Sequence, residues 1–189
     1  MDAAARIARE LTLDWNNLSL GGGAAGVVLF DHYFAISTGD AAAWARSRDR
    51  LDQMREISST SSPSGLFGNL GIAWTAAHLG EEPEPIDYEP QDYDLIAGAA
   101  GLGVYALECL PSPEAERYLR KIVRRFERTA TDGAWLSVPK PGSWQETKSA
   151  RPYHDLGVAH GIAGVISFLA ETTAAGLSDD SLLRGAVRW

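Results

Sequence analysis

The stretch Tyr153–Glu171, YHDLGVAHGIAGVISFLAE, sets His160 between small residues. It follows the histidine with a Gly-x-x-Gly pair, Gly161 and Gly164, and continues into an apolar run of Val165, Ile166, Phe168 and Leu169. The run is apolar on nearly every face, which predicts a helix buried on all sides. Asp155 stands where a helix N-cap would stand, its side chain able to accept from the orphan amides of the first turn. A single titratable ring at the mouth of such a helix asks for a reason.

The pattern occurs three more times. Gly23-Ala-Ala-Gly26 precedes Val27, Val28, Leu29 and Phe30. Gly68-Asn-Leu-Gly71 precedes Ile72, Ala73 and Trp74. Gly98-Ala-Ala-Gly101 follows Asp94-Leu95-Ile96 and precedes Leu102, Val104, Tyr105 and Leu107. The intervals are unequal, so this is a supersecondary repeat with variable insertions rather than a strict solenoid period. Glycine costs about 0.5–1 kcal/mol relative to alanine inside a helix. Eight glycines at matched places therefore predict close helix–helix approach, since a spacing of three puts both on nearly one face.

The fourth copy, GVAHGIAG, and the third, DLIAGAAGLGVYAL, resemble the lanthionine synthetase C-like cyclases, and the resemblance runs from about Leu18 to Trp189. It implies an all-α fold, part of an α/α toroid. In that fold an inner ring of helices, each opened by a glycine motif, is wrapped by an outer ring, and residues 1–189 would form a single domain, the N-terminal portion of the toroid. It also implies a peptide substrate whose cysteine thiols add to dehydrated serine or threonine to form thioether rings. His160 matches the family's histidine that exchanges protons with the substrate during ring closure. Asp94 matches an acidic residue with an active-site role at the start of the third inner helix. Read from the residues alone, His160 is a satisfied structural histidine, which the resemblance turns toward a catalytic one, and Asp94 is as readily a plain N-cap.

The full-length family binds a catalytic zinc through Trp-Cys-x-Gly and Cys-His-Gly motifs, and neither occurs in this chain. The one cysteine, Cys109, lies inside the third apolar helix, and no His/Cys pair has structural-zinc spacing. The expectation is no cofactor in this chain: it keeps the candidate acid and lacks the ligands that would activate the nucleophile. Three readings stay open. One is a segment of a cyclase whose activity needs a missing C-terminal part. Another is a non-catalytic peptide- or protein-binding scaffold module. The third is a different α/α-toroid enzyme, such as a glycoside-processing one, with Asp94 and Asp155 facing each other across a cleft.

Composition narrows the classes further. The chain has 189 residues, 45% hydrophobic and 22% charged, an ordinary balance for a soluble globular domain. A formal charge of −8 argues against a nucleic-acid surface, which needs a basic stripe. One cysteine excludes an internal disulfide, and a reducing, cytoplasmic setting is compatible. The N-terminus, MDAAARIARELTL, lacks a long apolar h-region, so no signal peptide is expected. No apolar run reaches the roughly 18 residues of a membrane span.

In chain order, a helix is expected from Asp2 to Leu13 and the first inner helix from Ala24 to Ile36, with Gly39 past its end and Asp40 capping a solvated helix, Ala41 to Ile57. SSTSSPSG (58–65) reads as a flexible connection and EEPEPIDYEPQDYD (81–94) as a solvated acidic loop. The third inner helix is expected to start near Asp94 and stop at Pro111. Ser112-Pro113-Glu114 opens an amphipathic helix carrying Tyr118, Leu119, Ile122, Val123 and Phe126 on one face, with Arg120, Lys121, Arg124 and Arg125 solvated. Thr129 to Tyr153 is the longest irregular segment; it lines the mouth of the toroid or packs on its outside. Ser178 is expected to cap a last helix, Leu182 to Trp189, in which the chain stops. That ending reads as a truncated or cleaved product. It leaves Leu182, Leu183, Val187 and Trp189 at one end, and Ile7 and Leu11 at the other, for self-association or for a missing C-terminal segment.

Overall fold

The computed structural model describes residues 3–58, 65–85 and 89–189. Asp2 of the expected first helix, residues 59–64 of the serine-rich connection and residues 86–88 of the acidic segment lie outside the described residues. Every regular element among those described is helical: α1 (Ala3–Glu10), α2 (Ala24–Thr38), α3 (Ala41–Ser58), α4 (Asn69–His78), α5 (Ala99–Glu108), α6 (Pro113–Thr129), α7 (Trp144–Lys148), α8 (Ile162–Ala174) and α9 (Ser181–Arg188). Two isolated antiparallel bridges, Thr131–Ala134 and Ser137–Tyr153, are the only extended pairings among them. The all-α expectation holds. The chain divides into two compact units, Met1–Asp87 and Tyr88–Trp189.

In the first unit, Ala24, Ala25 and Val28 of α2 pack with Leu51 and Met54 of α3 and with Ile72 and Ala76 of α4. Gly39 has φ +71°, and its N–H donates to the Ala35 carbonyl, closing α2 as expected. Asp40 Oδ1 accepts from the amides of Ala42 and Ala43 at 2.9 and 3.1 Å, so the start of α3 is also as expected. One expectation fails on α3. Asp31 of α2 is wholly buried, and Arg46 and Arg50 turn inward to pair with it. A buried carboxylate without a partner costs several kcal/mol, so these arginines cannot remain on a solvated face. The acidic segment is exposed at residues 82–85, as expected of a solvated loop; at its start Glu81 pairs with Arg48, and Glu84 accepts from Arg55 at 3.2 Å.

The second unit is built on α5, α6 and α8. Leu119, Ile122, Val123 and Phe126 of α6 are buried, as the 3.6-residue period requires. Ser112 accepts from the Ala115 amide and Pro113 is the first helical residue. Trp135 is buried edge-on against Phe126, ring centroids 5.3 Å apart, and its Nε1–H donates to the Phe126 carbonyl at 3.2 Å. The expected cap of α9 is different. Ser178 Oγ bonds to Thr172 and Thr173, while Asp179 Oδ1 accepts the Ser181 amide. Val187, Trp189 and Ile7 are exposed, and Leu11, Leu182 and Leu183 are half-buried. Trp189 packs on His154 at 4.5 Å.

The Gly-x-x-Gly copies do open helices, but for a different reason than the one expected. Gly23, Gly68, Gly98 and Gly161 are the N-cap residues of α2, α4, α5 and α8, and none of these caps has a side-chain hydrogen bond. The first helical amide instead reaches back seven residues: Ala24 to the Asn17 carbonyl at 2.9 Å, Ala99 to Asp92 at 3.0 Å, Ile162 to Asp155 at 2.8 Å. The preceding loop thus folds across the helix mouth. A Cβ at Gly161 would stand 2.1 Å from the Asp155 carbonyl oxygen, and one at Gly164 would stand 2.2 Å from that of Val158. These glycines make room for their own loop rather than for a neighbouring helix. Close helix approach occurs elsewhere, at Gly103 of α5, where a Cβ would meet the Phe168 ring of α8 at 2.2 Å. The same loop displaces the start of α5 from Asp94 to Ala99.

The contrast between two glycines tests this. Gly161→Ala must push main chain aside, and we expect it to lower stability by about 1–3 kcal/mol or more in chemical denaturation. Gly22→Ala, with nothing within 4 Å of the added Cβ, is expected to stay within about 0.5 kcal/mol of wild type.

Candidate functional site

Two of the folded-back loops carry the candidate residues, Asp94 ahead of α5 and His160 ahead of α8. A main-chain bond joins them: the Leu95 amide donates to the Ala159 carbonyl at 3.1 Å. The residue next to each partner is Asp94 and His160, and their side chains meet. His160 Nδ1 lies 3.0 Å from Asp94 Oδ2. Asp94 is 3% exposed, and its Oδ1 accepts the Ala97 amide at 2.7 Å. An ionised carboxylate only accepts, so Nδ1 carries the hydrogen of this bond and Nε2 lies on the other side of the ring. The His160 side chain remains 30% exposed. The structure thus brings together the two residues singled out in the sequence.

Asp155 is not a side-chain cap of α8. Its main-chain carbonyl takes the first helical amide. Its Oδ1 accepts the Gly157 N–H at 2.8 Å and its Oδ2 accepts Lys148 Nζ at 2.9 Å. Burial pushes its pKa up, but the Lys148 ammonium and the Gly157 amide outweigh burial and hold the carboxyl below its usual range. The short helix α7 is thereby fastened to the loop that presents His160. Asp94 is thus engaged by His160, and Asp155 by Lys148.

The pair opens onto a cleft of about 340 Å³ lined by Tyr93, Asp94, Arg125, Trp135, Ser137 and His160, among others. The Tyr93 hydroxyl and Ser137 Oγ are 2.8 Å apart, and burial raises the Tyr93 pKa. Arg125 is not a solvated residue: its guanidinium donates to the carbonyls of Pro90, Gln91 and Asp92 and clamps the chain entering Tyr93. Residues of the irregular segment, Leu136, Ser137, Val138, Lys140 and Gln145, line the cleft as well, so part of this segment forms the wall beside His160. Sequence reasoning missed Tyr93, Ser137 and Arg125 as members. Adjacency to Asp94 was the only signal for Tyr93.

The described side chains at this site do not fit a zinc ion. Among the described residues no three His, Cys, Asp or Glu side chains converge. Cys109 caps α5, is buried, and its thiol is pushed up by burial, away from the thiolate a metal requires. His78 is engaged by the Tyr33 hydroxyl, and His32 packs on Trp44 at 5.0 Å. Among the described residues no helix is long and apolar enough to cross a membrane.

The family model described as Lanthionine synthetase C-like protein matches residues 14–185. No curated protein matches the chain. Among solved structures, a nisin cyclase superposes with a TM-score of 0.73 at 19% identity, over 97% of this chain and 54% of its own. At that identity the likeness is one of fold, and it bears out the expected class, all-α with the paired helices of part of an α/α toroid. The chain spans about half the length of the nisin cyclase it matches.

The Asp94–His160 bond has a spectroscopic signature. In ¹⁵N-resolved spectra of the neutral ring, we expect His160 to be held as the Nδ1–H tautomer, with Asp94→Asn shifting the ring nitrogens toward the mixed values of an exposed histidine. Identical ring shifts in wild type and Asp94→Asn would show that the carboxylate does not set the tautomer.

Proposed function

The chain belongs to the lanthionine synthetase C-like family, and from that membership we propose that the His160 cleft takes a dehydrated peptide and that His160 donates the proton of thioether formation. The observation that carries the reading is the buried Asp94 carboxylate on His160 Nδ1, at the wall of a cleft. When a thiolate sulfur adds to Cβ of a dehydroalanine or dehydrobutyrine residue, the S–Cβ bond forms. The Cα=Cβ electron pair then moves onto Cα and the adjoining carbonyl as an enolate. Protonation at Cα completes the addition. Asp94 stabilises the charged ring before transfer and fixes its orientation, so the proton on Nε2 is delivered from one side. Tyr93 and Ser137 offer hydroxyls on the same wall, and Arg125 and Lys148 hold the segments that carry Tyr93 and His160.

Activation of the thiol is the other half of the reaction, and the described residues form no donor set for it. This chain by itself is therefore proposed to bind the peptide and direct the proton without speeding ring closure of a cysteine-containing peptide. The same observation favours the second reading, a peptide-binding scaffold of the family's fold. A cytoplasmic location belongs to the proposal, as does pairing of the apolar ends at Ile7, Val187 and Trp189 with a second copy or a further segment.

An aryl thiol, ionised near neutral pH without a metal, separates the two readings. With a dehydroalanine peptide bound to the chain, its addition is expected to give one Cα configuration in excess. His160→Ala is expected to return both configurations. Equal amounts of both configurations with the wild-type chain would leave the scaffold reading.

A further inference from the structure

We propose that Leu136–Val138 is a main-chain docking edge, on which the dehydrated stretch of a peptide pairs as an added strand along the wall of the His160 cleft. The proposal rests on the reading of that cleft as a peptide site and adds how the peptide is held.

Ser137 exchanges both main-chain hydrogen bonds with Tyr153, its N–H to the Tyr153 carbonyl at 2.9 Å and the reverse at 3.1 Å. In such an antiparallel pair the flanking residues turn their N–H and C=O to the opposite side. Those residues are Leu136 and Val138. Among the described residues, neither main chain forms a hydrogen bond. An extended segment with unused donors and acceptors is a template for another strand. The side chains follow the alternation of a strand. Ser137 turns inward onto Tyr93, whereas Leu136 is 45% and Val138 57% exposed. In strand addition, main-chain bonds give affinity and side chains at alternate positions give selectivity.

The edge is also held in place before anything binds. Trp135 is buried and anchored by its indole N–H to the Phe126 carbonyl, and its own carbonyl lies 3.0 Å from His154 Nδ1. Pro139 ends the segment on the other side. A fixed edge loses little freedom on binding. Leu136, Ser137 and Val138 line the same cleft as His160, so a strand laid on this edge runs beside the candidate proton donor.

The occupant follows from the same chemistry. A dehydroalanine has a trigonal Cα conjugated with both flanking amides, which keeps its backbone flat and extended. That shape suits a strand and not a helix. The fitting ligand is therefore an extended peptide with a dehydro residue and apolar residues at alternate positions, set to lie beside Leu136 and Val138.

The test is binding by the full 189-residue chain of a short synthetic dehydroalanine peptide with apolar neighbours, followed by calorimetry, beside its serine counterpart. Leu136→Pro and Val138→Pro remove the outward N–H groups and leave the Ser137–Tyr153 pair in place. Each is expected to weaken binding about tenfold, and Leu136→Ala less. N-methylation of the peptide at alternate residues leaves the protein untouched; it should abolish binding at positions of one parity and spare the other. An affinity indifferent to both proline variants and to every N-methylated peptide would overturn the edge while leaving the His160 reading intact; no detectable binding of either peptide would overturn the edge and the peptide-binding reading together. Equal, proline-sensitive binding of the serine and dehydroalanine peptides would support the edge and count against His160 as a selector of dehydrated substrate.

Discussion

A hydrogen bond seven residues long organises this protein. At α2, α5 and α8 the first helical amide donates to the carbonyl seven positions earlier, and the intervening loop is drawn across the helix mouth. That path leaves no volume for a Cβ at the helix start, and glycine is the residue that provides the space. The requirement is steric and local. It explains why glycines recur at unequal intervals along the sequence, since each one answers to its own loop and not to a repeat length. It also explains why these helices begin without side-chain caps: the loop's main chain already occupies the place a capping side chain would take.

The site is a consequence of putting two such loops side by side. Asp94 and His160 come from segments 66 residues apart, yet each is held within a few residues of a helix start whose geometry is fixed. The single bond from Leu95 to the Ala159 carbonyl brings the loops into register. Around this pair the charged residues fasten the two loops. Arg125 binds the carbonyls ahead of Tyr93, and Lys148 binds Asp155 at the root of the His160 loop. The proposed proton transfer needs a fixed angle between ring and substrate, and these contacts hold the loops before a ligand arrives.

Much of this architecture is legible in the amino-acid sequence, for physical reasons that differ from residue to residue. Gly39, Asp40 and Ser112 act within one turn of themselves, so local pattern suffices to place them. His160 and Asp94 are legible because a motif surrounds each. The purpose of the paired glycines is not, because a clash with main chain six residues back depends on the path of the loop, and composition does not carry that path. The same limit applies to Arg125 and to Arg46 and Arg50. Helical periodicity says that they leave the face that packs on their own helix's core. It does not say that carbonyls of residues 90–92, or a buried Asp31, wait on the side they turn to. The start of α5 is displaced to Ala99 by the crossing loop, an event that propensity does not register.

The account stands on Asp94 and His160 acting as one unit built by the two loops. A double-mutant cycle measures that directly: Asp94→Asn, His160→Gln and the double variant, each unfolded in denaturant. The account predicts a coupling energy of about 1–3 kcal/mol, the double variant losing less than the sum of the single ones. Additivity within about 0.5 kcal/mol would mean that the two side chains do not depend on each other, and would contradict it.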